Sequence, residues 1–97
     1  MKVVWLQQAR ADLDSIVDYL LERNSQAAVD IYEAIRQQVG KLADFPRIGR
    51  PGRVAGTREL VVAGLPYIVP YYTKGREVRI LAILHTSRKW PDEFDLS

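Results

Sequence analysis

Two helical apolar stripes lie along the first half of the chain, with only Asn24-Ser25 between them. Ala9, Leu13, Ile16, Val17, Leu20 and Leu21 recur at spacings of three and four, which predicts a helix over residues 8–23. Ser25 reads as the N-cap of a second helix, whose apolar face is Ala28, Ile31, Tyr32, Ile35, Val39 and Leu42. A break that short makes the two helices fold back on each other as an antiparallel hairpin. The hairpin then presents apolar surface that a further layer must cover.

The rest of the chain supplies that layer. Val3 to Leu6 reads as a short strand. Asp44 to Thr57 holds two prolines and three glycines, so it reads as a loop; it carries Arg47, Arg50 and Arg53 and no acid after Asp44. Arg58 to Ala63 alternates, Gly64 and Pro66 mark a turn, and Tyr67 to Thr73 is a second strand in this half. Lys74-Gly75-Arg76 makes a hairpin turn into Glu77–His85, which is apolar on both faces through its middle and so reads as a central strand. Pro70 cannot donate to a ladder, which predicts an edge-facing or bulged position there. The tail, Thr86 to Ser97, is irregular or weakly helical. The order is β-α-α-β-β-β, an α+β architecture with the helical hairpin on one face of a small, mostly antiparallel sheet.

Composition narrows the function classes. A length of 97 residues fits one domain, and 47% hydrophobic with 27% charged residues is ordinary for a folded chain. There is no cysteine and only one histidine, which removes disulfides, thiolate metal sites and any His-based metal cluster. No apolar run approaches a membrane span, and Met1 to Leu6 is too short for a signal-peptide core, so the expected location is the cytoplasm. The net charge of +2 and a pI near 9.1 permit nucleic-acid contact without demanding it.

Simple alternation along Glu77–His85 places Val78, Ile80, Ala82 and Leu84 on one face and Arg79, Leu81, Ile83 and His85 on the other. The hairpin takes the wholly apolar set. Leu81 and Ile83 are then left as an apolar strip between Arg79 and His85. Either a partner segment covers it, or the tail does, with Trp90 and Phe94 as the cover.

Several residues carry potential chemistry. Arg47, Arg50 and Arg53 can offer guanidinium groups to phosphates or carboxylates, or simply solvate the loop. His85, beside Ser87 and Arg88, has the form of a general acid or base for RNA cleavage, or of a hydrogen-bonding cap. Arg88-Lys89-Trp90 can stack on a base or a protein surface, unless Trp90 plugs the tail. Tyr67, Tyr71 and Tyr72 can stack on bases but are more ordinary as packing residues. Asp12, Asp14 and Asp18 form a solvated helix face, with Asp12 and Asp14 near the helix start where carboxylates suit the dipole. Gly49 to Gly52 lacks the ending of a phosphate-binding loop.

Four stretches carry a family resemblance that spans most of the chain: Phe45-Pro46-Arg47-Ile48-Gly49-Arg50, Gly56-Thr57-Arg58-Glu59-Leu60-Val61, Tyr67-Ile68-Val69-Pro70-Tyr71, and Ile80 to Pro91 with its His85-Thr86-Ser87-Arg88-Lys89-Trp90. In this order and spacing the chain resembles the RelE/ParE superfamily of bacterial type II toxin–antitoxin systems, on its ParE side. The resemblance implies a toxin with no cofactor, neutralised by the C-terminal segment of a cognate antitoxin, reaching operator DNA only through that antitoxin, and serving plasmid maintenance or stress response. ParE-like members poison DNA gyrase; RelE-like members cut mRNA on the ribosome. The RelE-like strand Gly-Tyr-Arg-Leu-Val-Tyr carries a functional arginine where this chain has Ile68, and no tyrosine follows Arg88. Both departures favour the gyrase branch. On that reading Arg47, Arg50, Arg53, Arg58, Arg88, Lys89 and Trp90 contact the target, and Arg79, Leu81 and Ile83 help seat the antitoxin. On the nuclease reading Arg79, His85 and Arg88 are the catalytic candidates. A third reading is a degenerate toxin kept as a corepressor with its antitoxin.

Overall fold

In a computed structural model, which describes residues 1–97, the elements are β1 (Lys2–Trp5), α1 (Gln7–Leu21), α2 (Ser25–Gly40), a 3-10 turn (Lys41–Ala43), β2 (Arg50–Pro51), β3 (Arg58–Val61), β4 (Tyr67–Lys74), β5 (Glu77–Ile80) and β6 (Leu84–His85). This is the expected α+β order, with one two-residue strand, β2, inside the segment read as loop and the last strand split in two. Helix α1 starts at Gln7, so Asp12 and Asp14 lie beyond its first turn and do not serve the dipole there. Asn24, rather than Ser25, caps α2: its side-chain oxygen accepts from the Ala27 N–H at 3.1 Å, which satisfies one of the orphan amides of the first turn.

The sheet order is β1-β5-β4-β3-β2, with β6 also paired to β4. Strand β1 is parallel to β5 and lies at an edge; the other pairs are antiparallel. The helical hairpin packs on one face. Ala9, Leu13, Ile35, Val39 and Leu42 meet Leu60, Val69, Tyr71, Val78, Ile80 and Ile83 in one buried cluster. Gly75, at φ 60, occupies the first central position of the two-residue β4–β5 turn, which suits a residue without Cβ.

The register of β4 changes by one residue at Pro70. Tyr71 faces Ile80, whereas Ile68 faces Leu84, so three steps along β4 (71 − 68) match four along its partner (84 − 80). The extra residue is a bulge over Leu81–Ile83. Its cause is chemical. In an antiparallel pair a residue gives and accepts toward the same neighbour. Pro70 accepts from the Leu81 N–H at 3.0 Å and has no N–H to return. The Ile83 N–H, released from the ladder, donates instead to Asp12 Oδ2 on α1 at 2.9 Å.

A one-residue bulge inverts every side chain beyond it. The expectation that Ile83 and His85 share a face with Arg79 and Leu81 is therefore corrected, while Leu81, opposite Pro70, keeps the face of Arg79. Ile83 turns into the helix-side core and is 4% exposed; Leu81 is 6% exposed. His85 pairs with Tyr67 and shares its helix-side face, while Arg79 pairs with Tyr72 on the opposite face. That opposite face is covered by the tail. The Ser97 carbonyl accepts from the Tyr72 hydroxyl at 3.1 Å and from Arg79 Nη1 at 2.8 Å, and Ile68, Pro70 and Tyr72 are buried.

Candidate functional site

The arginine loop is organised by one carboxylate. Glu59 sits on β3 directly opposite Arg50 of β2 and is 3% exposed. Its Oε1 accepts from Arg50 Nε at 3.1 Å and Nη2 at 3.0 Å, and its Oε2 from the Arg53 backbone N–H at 2.9 Å. The Arg53 side chain approaches the same oxygen at 3.6 Å, and its guanidinium lies 3.8 Å from the centroid of the Trp90 ring. Arg50, Arg53 and Trp90 thus form one cluster that joins loop, sheet and tail. The two arginine heads stay half exposed and share a single carboxylate, so a net positive charge remains available to a partner.

A second brace holds the loop from the helix side. The Tyr71 hydroxyl accepts from the Gly49 N–H at 2.9 Å and donates to the Pro46 carbonyl at 2.8 Å. A Cβ at Gly49 would lie 2.6 Å from that hydroxyl oxygen, which requires glycine there. Arg58, on the same face as Tyr71, donates to the Gly49 carbonyl at 2.8 Å and the Arg47 carbonyl at 3.5 Å. Burial pushes the Tyr71 phenol above its ordinary value of 10.0, against the smaller lowering effects of the Gly49 amide and Arg58. The neutral phenol is the form the fold prefers. The brace is fully made below pH 10 and is lost as pH rises through the raised value. Spectrophotometric titration of tyrosinate should show one tyrosine ionising late, and Tyr71→Phe should remove that late step.

The tail leaves β6 through a turn in which Arg88 N–H donates to the His85 carbonyl at 3.0 Å. Its end is held by Tyr72 and Arg79, and Leu96 lies against Gly56. Arg79 is also bound by Glu77 at 2.9 Å; the Tyr72 hydroxyl, then Glu77, hold its guanidinium further toward the charged form. Two bonds from Ser97, the hydroxyl first, keep the Asp95 carboxyl below its usual range. The Trp90 indole nitrogen is buried without an acceptor. The tail is irregular throughout, and Trp90 acts as a plug.

His85 lies on the other side of the sheet. It shares a groove of about 550 Å3 with Asp12, Ser15, Ile16 and Tyr19 of α1, Tyr67 of β4, and Arg88. Its Nδ1 accepts from the Ser87 N–H at 3.1 Å and lies 2.7 Å from the Ser87 hydroxyl; its ring stands edge-on to Tyr67, with centroids 5.5 Å apart. Accepting an N–H at Nδ1 leaves the ring proton of the neutral form at Nε2. Both Asp12 oxygens are taken, one by the bulge amide and one by Gln8. The three nuclease candidates therefore do not converge. His85 and Arg88 border one groove, while Arg79 is tied to the tail across the sheet.

The sequence-derived contact set is divided in the same way. Arg50, Arg53 and Trp90 meet on the tail face, Arg58 is a brace on the helix face, and Arg47, Arg88 and Lys89 are exposed cations with no ion-pair partner. Glu59, Tyr71 in its bracing role, and Asp12 escaped the sequence reading. Glu59 had one available signal, a lone acid two strand positions from Thr57 beside a three-arginine loop. A second groove, of about 510 Å3, runs along the free edge of β1, lined by Trp5, Leu13 and Tyr32 with Arg10, Arg36 and Glu77. Arg36 lies over both Trp5 and Tyr32 there, 5.6 and 5.8 Å from the ring centroids.

The model of the family described as the ParE toxin of type II toxin–antitoxin systems, parDE, matches residues 3–90. Y4kP of Sinorhizobium fredii (strain NBRC 101917 / NGR234), a toxin by name, is 40% identical over 90 residues, covering 93% of each chain. Toxin RelE2 of Caulobacter vibrioides (strain ATCC 19089 / CIP 103742 / CB 15) is 37% identical over 87 residues, covering 90% of this chain and 97% of its own. Among solved structures, a chain of the chromosomal ParDE toxin–antitoxin system from P. aeruginosa superposes with a TM-score of 0.79 at 33% identity, over 88% of this chain and 95% of that one.

Proposed function

The chain belongs to the ParE toxin family of type II toxin–antitoxin systems, and on that premise we propose that it inhibits DNA gyrase by direct binding and is neutralised by a cognate antitoxin. The observation that carries the choice of target is the separation of Arg79 from His85 and Arg88 by the sheet. General acid–base cleavage needs its groups within reach of one scissile bond. Binding needs only a rigid, charged surface, and the loop and tail provide one in Arg47, Arg50, Arg53, Arg88, Lys89 and Trp90. The toxin acts in the cytoplasm, where gyrase is; no helix is long and apolar enough to cross a membrane. Operator DNA is reached only through the antitoxin.

With Leu81 and Ile83 buried, the antitoxin needs another seat. The free edge of β1 offers unpaired backbone groups beside a groove containing Trp5 and Tyr32, a form suited to an added strand or segment. A ribosome-dependent mRNA endonuclease is the competing reading, favoured by the name of the Caulobacter relative and by His85, Tyr67 and Arg88 sharing a groove. Purified toxin should stop gyrase supercoiling in vitro while peptide synthesis in a parallel reaction continues. Arrested synthesis with cut mRNA and normal supercoiling would replace gyrase by the ribosome as target.

A further inference from the structure

We propose that the turn Phe45–Ile48 is a preformed knob that seats in an apolar, acid-rimmed pocket on the toxin's folded protein target; this rests on the binding reading above. Phe45 is 60% exposed and Ile48 51% exposed. They occupy the first and last positions of a β-turn closed by the Ile48 N–H to the Phe45 carbonyl at 3.3 Å, with Pro46 at the second position and exposed Arg47 at the third. A turn of this kind brings the backbones of its end residues close together, so the two exposed apolar residues lie at the base of one turn with Arg47 near its tip.

The backbone beneath them is fixed from every direction. The Phe45 N–H donates to the Lys41 carbonyl at 2.9 Å, and the N-terminal ammonium of Met1 bonds the Ala43 carbonyl at 2.7 Å. The Tyr71 hydroxyl holds Pro46 and Gly49, and Arg58 holds Gly49 and Arg47. Fixing a loop while leaving a Phe and an Ile outside gains nothing for the isolated fold. It removes the ordering cost of binding in advance, and an aromatic residue with a neighbouring arginine is the composition that dominates interface energetics.

The shape selects the occupant. A convex knob needs a concave, already folded partner; an extended wrapping segment has no pocket to offer it. The turn carries Arg47 at its third position and is hydrogen-bonded to the Lys41 backbone and the Arg58 guanidinium, against Asp44 as the one exposed acid beside it in sequence, so the pocket rim is acidic. Duplex DNA fits less well, because a phosphate-driven contact uses several free cations and the turn itself carries one.

The test compares wild type, the double variant Phe45→Ser/Ile48→Ser and Arg47→Glu, all as full chains. Thermal melting, affinity for purified gyrase, for the purified antitoxin and for duplex DNA, and growth arrest on induction are measured for each. The double variant should lose gyrase affinity by about 30-fold and Arg47→Glu by about 10-fold, the range of interface hot spots. Growth arrest should fall in step, with melting and antitoxin affinity unchanged. Unchanged gyrase affinity and arrest in both variants would overturn the knob, as would a loss confined to antitoxin or to DNA binding. Wild-type arrest without gyrase binding would refute gyrase alone, and loss of that arrest in the double variant would then still support the knob. A wild type with neither effect would overturn both.

Discussion

Ile83→Ala should destabilise the protein by about 3 kcal/mol, within the usual range for emptying a core aliphatic site, whereas Leu84→Ala should cost only about 1 kcal/mol, as for a half-buried side chain. Simple alternation along a continuous last strand gives the opposite order, because it sends Leu84 to the helices and Ile83 outward. The bulge at Pro70 reverses this: Ile83 joins Val78 and Ile80 in the core, and Leu84 is half-buried. Urea unfolding of the two variants, with midpoints and slopes compared, reads the parity directly. Equal effects, or a larger effect at Leu84, would mean that the strand runs on without a bulge. The same inversion separates His85 from Arg79, so this stability measurement also bears on the functional assignment.

Glu59→Ala should cost about 2–3 kcal/mol, the scale of losing charge-assisted bonds around a buried acceptor. The carboxylate receives two bonds from Arg50 and the Arg53 amide, and only the arginine heads can turn to water in its absence. In a domain of this size that is a fall in Tm of roughly 10–20 °C. The change should also free Arg53 from its place over Trp90. Heteronuclear NMR would then show the loop after β2 and the tail gaining motion together, while α1 and α2 remain as they were. A variant as stable as wild type would show that Arg50 and Arg53 are solvated rather than held, and that the loop needs no buried acid.

The helices were legible because their apolar residues keep one period across a two-residue break, and tertiary packing agrees with that period at Ala9, Leu13, Ile35 and Val39. Pro70 was legible as an edge-facing or bulged position because a missing N–H is a covalent fact. Its consequence is invisible to simple alternation, which, continued past Leu81 as if the register held, places Ile83 and His85 on the wrong face. The tail's cover over the second face was visible as one of two options, since Trp90 and Phe94 are large apolar residues in an otherwise polar end. Which oxygen would hold it was not visible, because Tyr72, Arg79 and Ser97 are brought together only by folding. Asp12 looked like one more solvated acid in a helix; its role at the Ile83 amide depends on a contact 71 residues away. Arginine-rich loops read from sequence as free charge, and here Glu59 is shared by two of the three.

Gyrase inhibition by His85→Ala, measured beside wild type in the same supercoiling titration, tests most directly whether this toxin acts by binding rather than by chemistry. The expected result is the same inhibitory concentration for both proteins within about twofold, since a bound surface needs no proton transfer at that ring. Loss of activity by the variant with its melting curve unchanged, together with cut mRNA from the wild type, would contradict it.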